Sequence, residues 1–289
     1  MYDIAVLGGD IRQAYMVPIL RKAGLSVISY GLTHPMIQDI CTQGTTMKET
    51  LESSIILVSA IPFSKDNTTI PSLTAASDMT LENFLSNTHR GQTLFAGMLS
   101  QQVKNHCCQN QIEYYDFMED DCVAIANGIA TAEGAIMEAV SRSSGNLHKS
   151  KCLVLGFGRC AKTLAQKLKG LDATVTIAAR SSVDRSLADA LGFCSLPLTR
   201  LKETIGSYDY IFNSIPALVL DSFLLSRISK EAVIIDIASA PGGLDYKKAH
   251  ELGLNATLSL GIPGKVAPKA SAQILADTVL RYLSNRKKG

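Results

Sequence analysis

The stretch Lys151-Cys-Leu-Val-Leu155-Gly156-Phe-Gly158-Arg-Cys-Ala161 decides the fold of the second half of this chain. Its apolar run is typical of a buried strand, the glycines fit the pattern Gly-x-Gly-x-x-Ala, and helical spacing follows over residues 162–168. Gly156 permits a tight turn, Gly158 lets a ligand approach the backbone, and Ala161 lets helix and strand pack closely. In this setting the pattern predicts a pyrophosphate at the helix N-terminus and therefore a dinucleotide-binding domain.

Strand patterns recur on both sides of this turn, and helical segments separate them. Alternation of this kind indicates βαβ units and parallel sheets. The two halves also resemble each other weakly, since Leu7-Gly-Gly parallels Leu155-Gly-Phe-Gly and Ser59-Ala-Ile-Pro62 parallels Asn213-Ser-Ile-Pro216. A true duplication and a general likeness of doubly wound domains predict the same architecture. Strands are predicted over residues 4–7, 27–30, 54–59, 93–96 and 112–115, and again over 152–155, 175–178, 210–212, 233–237 and 257–260.

The predicted fold class is α/β, with two doubly wound Rossmann-like domains, an interdomain cleft and long connecting helices. A length of 289 residues suits two domains. We predict an N-terminal substrate domain over 1–121, a connecting helix and hinge over 122–146, a nucleotide-binding domain over 147–267, and a C-terminal helix over 268–289 that packs back toward the N-terminal domain. The apolar side of the connecting helix is predicted to comprise Cys122, Ile125, Ile129, Ala132, Ile136 and Ala139.

The strand that follows the glycine turn points to the type of nucleotide. Arg180 comes 24 residues after Gly156, where an enzyme that uses NAD usually has an acidic residue. An arginine there accommodates a 2′-phosphate, so we predict NADP, and NAD stays possible. Loops at the ends of later strands are expected to border the ribose and nicotinamide. The predicted cofactor residues are Gly156, Phe157, Gly158, Arg159, Cys160, Ala161, Arg180, Ser181, Ser182, Asn213, Ser214, Ile215, Pro216, Ala238, Gly261 and Pro263.

Composition excludes several other classes of protein. The net charge is +2, and no basic block occurs before residue 286, which argues against nucleic acid as a partner. No stretch reaches the roughly 18 apolar residues of a membrane helix, and the N-terminus is unlike a signal peptide, so we expect a cytoplasmic protein without a membrane partner. The five histidines have no metal-ligand spacing, and no metal site is predicted.

A series of motifs, strongest after residue 150, gives a more specific resemblance. In chain order they are Gly8-Gly9-Asp10-Ile-Arg12-Gln13, Gly156-Phe-Gly158-Arg159, Ala179-Arg180-Ser181-Ser182, Asn213-Ser-Ile-Pro216, Ala238-Ser239-Ala-Pro241-Gly242-Gly243-Leu-Asp245-Tyr246 and Gly261-Ile-Pro-Gly264-Lys-Val-Ala-Pro268-Lys269. Together they resemble the A subunit of dipicolinate synthase from spore-forming bacteria. The chain departs from that family at Cys160-Ala161, at Ala240 where an arginine is common, and at Leu244 and Lys265.

The resemblance implies a function that composition does not show. Members of that family make dipicolinate (pyridine-2,6-dicarboxylate) from the cyclic intermediate of the lysine pathway with NADP. They work with a flavoprotein-like B subunit in the cytoplasm of the mother cell during sporulation. We therefore expect a small dicarboxylate substrate, a B-subunit partner and a homo-oligomer.

A substrate with two carboxylates needs cationic anchors and a fixed position against the nicotinamide. Arg12 is the predicted anchor because it follows the first strand and its turn. Lys265 is the candidate for the charge that Ala240 lacks. No catalytic residue is assigned, and Asp10, Asp245 and Lys265 all stay open as the base. The predicted substrate-binding residues are Asp10, Arg12, Gln13, Asn127, Thr131, Ser239 and Lys265.

Two alternatives stay open. Another two-domain NADP oxidoreductase that acts on a small carboxylate would share these motifs, but such enzymes generally need a defined proton-transferring histidine or lysine. No histidine lies in a strand-end loop of the second half, since His250 falls in a predicted helix. A non-catalytic, NADP-binding regulatory subunit is the other alternative.

Overall fold

The computed structural model describes residues 1–286, so residues 287–289 of the predicted C-terminal segment lie outside it. The chain divides into two compact units. Unit 1 comprises Met1–Ala124 and the segment from Ala267, and unit 2 comprises Ile125–Val266. Residues 143–146, the end of the segment predicted as connecting helix and hinge, lie inside unit 2 rather than at its border. Side chains of unit 2 hold this part of the chain, because Asn255 binds the carbonyl of Arg142 and Tyr210 binds that of Gly145.

Unit 1 is built on one parallel sheet of six strands in the order β3-β2-β1-β4-β5-β6. Helices cover both faces of this sheet: α1 and α12 pack on one face, and α2, α3 and α4 on the other. The strands are β1 (Ile4–Leu7), β2 (Val27–Tyr30), β3 (Thr42–Gln43), β4 (Ile56–Ser59), β5 (Thr93–Ala96) and β6 (Glu113–Asp116), and the helices are α1 (Ile11–Lys22), α2 (Met47–Glu52), α3 (Leu81–Asn87), α4 (Gln101–Gln109) and α12 (Pro268–Arg286).

Unit 2 repeats this plan with a parallel sheet in the order β12-β11-β10-β7-β8-β9. Helices again cover both faces, with α5, α6 and α7 on one side and α8, α9 and α10 on the other. The strands are β7 (Lys151–Leu155), β8 (Thr174–Ala179), β9 (Cys194–Pro197), β10 (Tyr210–Asn213), β11 (Val233–Asp236) and β12 (Asn255–Leu258), and the helices are α5 (Asp121–Ser141), which begins in unit 1, α6 (Arg159–Gly170), α7 (Ser182–Ala190), α8 (Leu201–Thr204), α9 (Ser222–Leu225), α10 (Tyr246–Glu251) and α11 (Ile262–Val266).

The strand order reverses once in each sheet, between β1 and β4 in unit 1 and between β7 and β10 in unit 2. Ligands of doubly wound sheets bind outside the carboxyl ends of the strands at such a switch point. The predicted α/β class with two doubly wound units is confirmed, but one edge strand was missed in each unit. Strand β3 has two exposed residues, and β9 is partly exposed and ends in a proline, so neither carries a buried-strand pattern.

The buried face of helix α5 matches the predicted one only in part. Ile125 and Ile129, expected in the core, are 52% and 49% exposed. Ala132 and Ala139 are buried as predicted, together with Ala135, and Ile136 packs against the same core of unit 2. A side chain at Gly128 would come within 3.5 Å of the Cα of Cys160. Close packing of α5 on α6 therefore selects small residues, which hydrophobic periodicity does not reveal.

By length and composition alone, α5 also meets the criteria for a membrane span, which the sequence analysis did not anticipate. Half of its most apolar 18-residue window is buried inside the protein. Its acidic residues are engaged as well, since Glu133 pairs with Lys167 and Glu138 with Arg142. Core helices pass the same test, so this feature is weak evidence for a membrane span.

Candidate functional site

The glycine turn of unit 2 lies at the carboxyl end of β7, at the switch point. Gly156 has a φ of +91°, and a side chain there would meet Ser214 Oγ at 2.6 Å. Gly158 is the N-cap residue of α6, and a Cβ at this position would meet nothing within 4 Å. Among the described residues, no side chain caps this helix end. The N-terminus of α6 therefore opens on free space, which is the geometry that binds phosphate.

The residues that follow Gly156 divide between core and turn. Phe157 is buried, and its ring meets Phe193 edge-on at 6.1 Å, so only its backbone is left for a nucleotide. Ala161 is fully buried against the sheet, while Arg159 is exposed in the first turn of α6. The turn therefore offers mainly its backbone groups.

Cys160 lies in the same turn under α5. Burial raises the pKa of its thiol, which the charge of Arg159 and a hydrogen bond with Thr131 only partly offset, so the thiol stays protonated at neutral pH. The Thr131 hydroxyl donates to the carbonyl of Asn127 at 3.1 Å, and Asn127 is buried. The two α5 residues predicted for the substrate thus lie on the helix that covers the phosphate turn.

Arg180 comes directly after β8, at the same edge of the sheet. Its side chain is exposed and makes no hydrogen bond or ion pair within residues 1–286. Ser181 caps α7 by accepting from the Asp184 N–H at 3.3 Å, and Ser182 is exposed in the first turn of α7. A cation without an internal partner beside two hydroxyl groups is suited to a phosphate.

The loops after β10 and β11 are joined by Asp236, a residue that sequence analysis did not single out. Its fully buried carboxylate accepts from Asn213 Nδ2 at 2.8 Å, from the N–H groups of Ala238 and Gly243, and from Tyr246 Oη at 2.6 Å. Burial and the Asp236 carboxylate raise the pKa of Tyr246, which stays a neutral donor. An aspartate at the end of a buried strand was the signal that could have revealed this network.

This network changes the role of Asn213. Its amide also donates to the Ile215 carbonyl and accepts from the Ile215 N–H, so both amide hydrogens are engaged and the side chain shapes the loop. Ser214 donates to the Leu155 carbonyl at 2.8 Å and supports the glycine turn. Pro216 is exposed beyond it.

The remaining predicted residues of unit 2 lie in loops after β11 and β12. Ala238 is buried, and Ser239 is exposed, with its carbonyl accepting from Gly242 N–H at 2.9 Å. Gly261 is exposed just before α11, Pro263 is half-buried in α11, and Lys265 is exposed on it. Asp245 caps α10 through the Lys248 N–H at 2.9 Å, so its carboxylate has a structural role.

In unit 1 the corresponding turn is closed by its own residues. Asp10 is the N-cap of α1 and forms a capping box with Gln13. Gln13 is fully buried and spans the switch point by donating to the Ser59 carbonyl, so it cannot reach a ligand as expected. Arg12 is also buried, with three hydrogen bonds of 2.8–3.1 Å to the Asp10 carboxylate and one of 2.5 Å to the Ile61 carbonyl. Arg12 therefore differs from the free anchor that the sequence suggested.

A segment of unit 1 fills the space in front of its glycines. The Gly9 N–H donates to the Pro71 carbonyl at 2.6 Å. A side chain at Gly8, whose φ is +59°, would clash with that carbonyl and with Met79. The place that a phosphate would need at this turn is taken by the protein itself. As for metals, residues 1–286 contain no group of three or more His, Cys, Asp or Glu arranged to hold an ion.

Comparison with known proteins agrees with this two-unit organisation. Residues 3–118 match the family model for the N-terminal domain of the dipicolinate synthase A subunit, and residues 138–247 match that for shikimate/quinate 5-dehydrogenase. The A subunit of dipicolinate synthase from Bacillus subtilis (strain 168) is 31% identical, over 97% of this chain and 95% of the relative. The chain belongs to the family of dipicolinate synthase A subunits.

Solved structures agree with this family assignment. The A subunit of dipicolinate synthase from Bacillus subtilis superposes with a TM-score of 0.89 at 28% identity, covering 99% of this chain and 97% of that one. The A subunit from Bacillus halodurans gives a TM-score of 0.84 at 26% identity, with 97% of each chain covered. A transhydrogenase from Sinorhizobium meliloti shares the fold, with a TM-score of 0.69 at 14% identity over 98% of this chain and 94% of that one. The A subunits of dipicolinate synthase thus have a dehydrogenase-type Rossmann fold, and the family resemblance is confirmed.

Proposed function

We propose that this chain is the NADP-binding dehydrogenase subunit of a dipicolinate synthase. Its reaction would oxidise the dihydrodipicolinate-type intermediate of the lysine pathway to pyridine-2,6-dicarboxylate in the cytoplasm of the mother cell during sporulation. The observation that carries this proposal is the open, uncapped N-terminus of α6 at Gly158, with the exposed and unpaired Arg180 at the same sheet edge, in a member of this family.

The residues of unit 2 fit a nicotinamide dinucleotide. Backbone N–H groups at the start of α6 hold the pyrophosphate, and Gly158 leaves the space that the phosphates need. Arg180 binds the 2′-phosphate, and Ser181 and Ser182 add hydroxyl groups. The loops that Asp236 ties together border the ribose and the nicotinamide. NADP, when bound, supplies the hydride acceptor.

The oxidation removes one hydride and one proton from the ring and leaves an aromatic product, so aromatisation favours the reaction. The chain's contribution is therefore to orient the ring and exclude water, rather than to supply a strong base. We infer that the B subunit named by the family completes the enzyme. It docks without replacing the nucleotide site, because the groups that hold NADP all lie in this chain.

Substitution of Arg180 tests the choice of nucleotide. Arg180→Gln should weaken NADP binding by roughly tenfold or more and leave NAD binding unchanged. The reason is that Arg180 contacts the 2′-phosphate, which NADP has and NAD lacks. Calorimetry with both nucleotides measures this. Arg227→Gln is the matched control, since Arg227 is exposed in the same unit but precedes β11, at the opposite end of the sheet. Equal losses for NADP and NAD would contradict the assignment.

Reconstitution tests the reaction itself. The chain is incubated with NADP and the lysine-pathway intermediate, with and without the B subunit, and pyridine absorbance is followed. We expect fast dipicolinate formation only with both subunits. Equal rates without the partner would remove its proposed role, and an active pair containing a chain that lacks residues 156–161 would rule out the dehydrogenase assignment.

A further inference from the structure

The carboxyl edge of the sheet in unit 1 carries groups that nucleotide binding does not use. Strands β1 and β4 end there side by side at the switch point. Arg12 ties the two strand ends together, because its guanidinium binds both the Asp10 carboxylate and the Ile61 carbonyl. The Arg12 side chain is only 9% exposed, whereas that of Asp10 is 43% exposed. Arg12 thus holds this edge together from inside the protein, and the Asp10 carboxylate is partly exposed to solvent.

Lys65 provides an accessible cation at the same edge. It follows Ile61 by four residues and is exposed, and it lies near enough to Asp10 for its charge to act on that carboxylate. The loop that carries Lys65 is ordered by Asp66, whose carboxylate accepts from the N–H groups of Thr68 and Thr69 at 2.9 and 2.8 Å. Asp66 is therefore turned toward its own loop.

The charges at this edge favour an anion. Asp10 and Arg12 compensate each other through their hydrogen-bonded ion pair, and the backbone N–H groups of its loop compensate Asp66. Lys65 is left as the cation available to a ligand, since it has no hydrogen bond or ion pair with a residue between 1 and 286. A flexible ammonium group of this kind can bind a carboxylate without displacing an internal partner.

An apolar side chain follows β5, the strand next to β4, from which the loop of Lys65 departs. Met98 follows β5, the neighbour of β4, and is 51% exposed. Its backbone has a φ of +57°, and Asp116 holds it by accepting from the N–H groups of Met98 and Leu99 at 2.9 and 2.8 Å. The Phe63 N–H donates to the Gly97 carbonyl at 2.7 Å and joins this turn to the loop of Lys65. A non-glycine residue held in this conformation often marks a functional surface.

We propose that Lys65 binds a carboxylate of the ring dicarboxylate, that Met98 packs on the ring, and that Arg12 is a positioning residue. This inference rests on the proposed function and names the substrate anchor within it. Arg12 acts by holding Asp10 and the strand end from which the loop of Lys65 departs. The proposed carboxylate anchor is therefore the exposed ammonium group of Lys65 and not the buried guanidinium of Arg12.

Binding of the product tests the anchor directly. Dipicolinate is titrated by calorimetry into the NADP-loaded chain, and Lys65→Ala should weaken its binding by about 10- to 100-fold, as for loss of a charge-assisted contact. Lys65→Arg should keep the affinity within a few-fold of wild type. Lys48→Ala is the matched control, because Lys48 is an exposed lysine of the same unit that faces Glu52 on α2. The affinity for NADP should not change in any of these variants.

The outcomes separate this inference from the proposed function. If the wild-type chain binds no dipicolinate, or if Lys65→Ala binds it like wild type, the inference is overturned. If dipicolinate binding depends on Lys65 but the chain with its B subunit never oxidises the substrate, the proposed function fails while the anchor stands.

A double-mutant cycle tests the positioning role of Arg12. Arg12→Lys should raise KM several-fold with little change in kcat. If Arg12 acts through Lys65, the Arg12→Lys, Lys65→Ala double variant should be no worse than Lys65→Ala alone. A purely structural role predicts additive losses and lower NADP affinity, and either result would overturn the role of Arg12.

Discussion

The turns Gly8-Gly9-Asp10 in unit 1 and Gly156-Phe-Gly158 in unit 2 both follow the first strand of a parallel sheet with the same strand order. In unit 1 the helix end is capped by Asp10 and Gln13, and the Pro71 carbonyl accepts from the Gly9 N–H. In unit 2 no side chain within the described part of the chain caps the helix end, and the space beside Gly158 is open.

The difference between the capped and the uncapped helix end shows when a glycine turn can bind phosphate. A helix N-terminus attracts an anion because its first N–H groups lack partners within the helix. Where aspartate, glutamine and a carbonyl supply those partners, the attraction is already satisfied. Unit 1 therefore uses the same turn to fix its own structure, and we expect one dinucleotide to bind per chain, in unit 2.

The largest expected effect is at the open turn. Gly158→Glu should lower NADP affinity at least about 100-fold, because a carboxylate would stand where the phosphates bind. The free energy of unfolding should hardly change, since the new side chain meets no atom within 4 Å. Calorimetry and urea denaturation measure the two quantities. Gly170→Glu at the opposite end of α6, which is equally open, is the control and should bind NADP normally. Normal binding by Gly158→Glu would break the comparison.

The closed turn should respond in the opposite way. Gly8→Ala should lower the free energy of unfolding by about 2–3 kcal/mol, because it combines a strained φ of +59° with a clash against Pro71 and Met79. Urea denaturation measures this, and NADP affinity should not change in the folded protein. Gly24→Ala separates the two causes, since its φ is +84° but a Cβ meets nothing within 4 Å. Equal losses of unfolding free energy in both variants would show that the clash with Pro71 and Met79 does not contribute to the effect of Gly8→Ala.

The smallest effect concerns the charge of the cap. Burial raises the pKa of Asp10. The hydrogen bonds and charge of Arg12, together with the charge of Lys65, lower it by more, so the pKa lies below its usual value. A lowered pKa stabilises the fold above the pKa of the unfolded chain, and this contribution is lost as the pH falls through the folded pKa. Asp10→Asn keeps the cap and should cost up to about 1 kcal/mol at pH 7, since water screens the half-exposed Asp10 carboxylate.

Urea denaturation of Asp10→Asn at pH 7 and again near pH 3 measures this prediction. The difference from wild type should shrink at the lower pH, because this pH lies below the ordinary carboxyl pKa that Asp10 has in the unfolded chain. Asp221→Asn, at a cap whose carboxylate accepts from the Leu224 N–H and has no ion pair within the described chain, should show a smaller loss at neutral pH. A difference that grows as the pH falls would contradict the assigned direction of the pKa.

Local patterns predicted much of the candidate site. Gly156, Gly158 and Arg180 were found because a turn after a buried strand has its own residue pattern, and the structure brings all three to one sheet edge. Arg12 was also found, but its guanidinium is not free, because it binds the Asp10 carboxylate two residues away and the Ile61 carbonyl 49 residues away. Asp236 was missed because its network forms only in the fold: its side-chain partners Asn213 and Tyr246 lie 23 residues before it and 10 residues after it.

The sequence by itself determined the two α/β halves, their parallel strands and the glycine turn of unit 2, because each depends on residues that are neighbours along the chain. Only the tertiary structure decided which glycine turn is open, which residues of the predicted face of α5 are exposed, and which cation at the edge of unit 1 is free. These depend on distant segments, such as Pro71 over Gly9 and Cys160 beside Gly128. A hydrogen-bond donor is open to a ligand only when the fold brings no other partner to it, and that partner can come from anywhere in the chain.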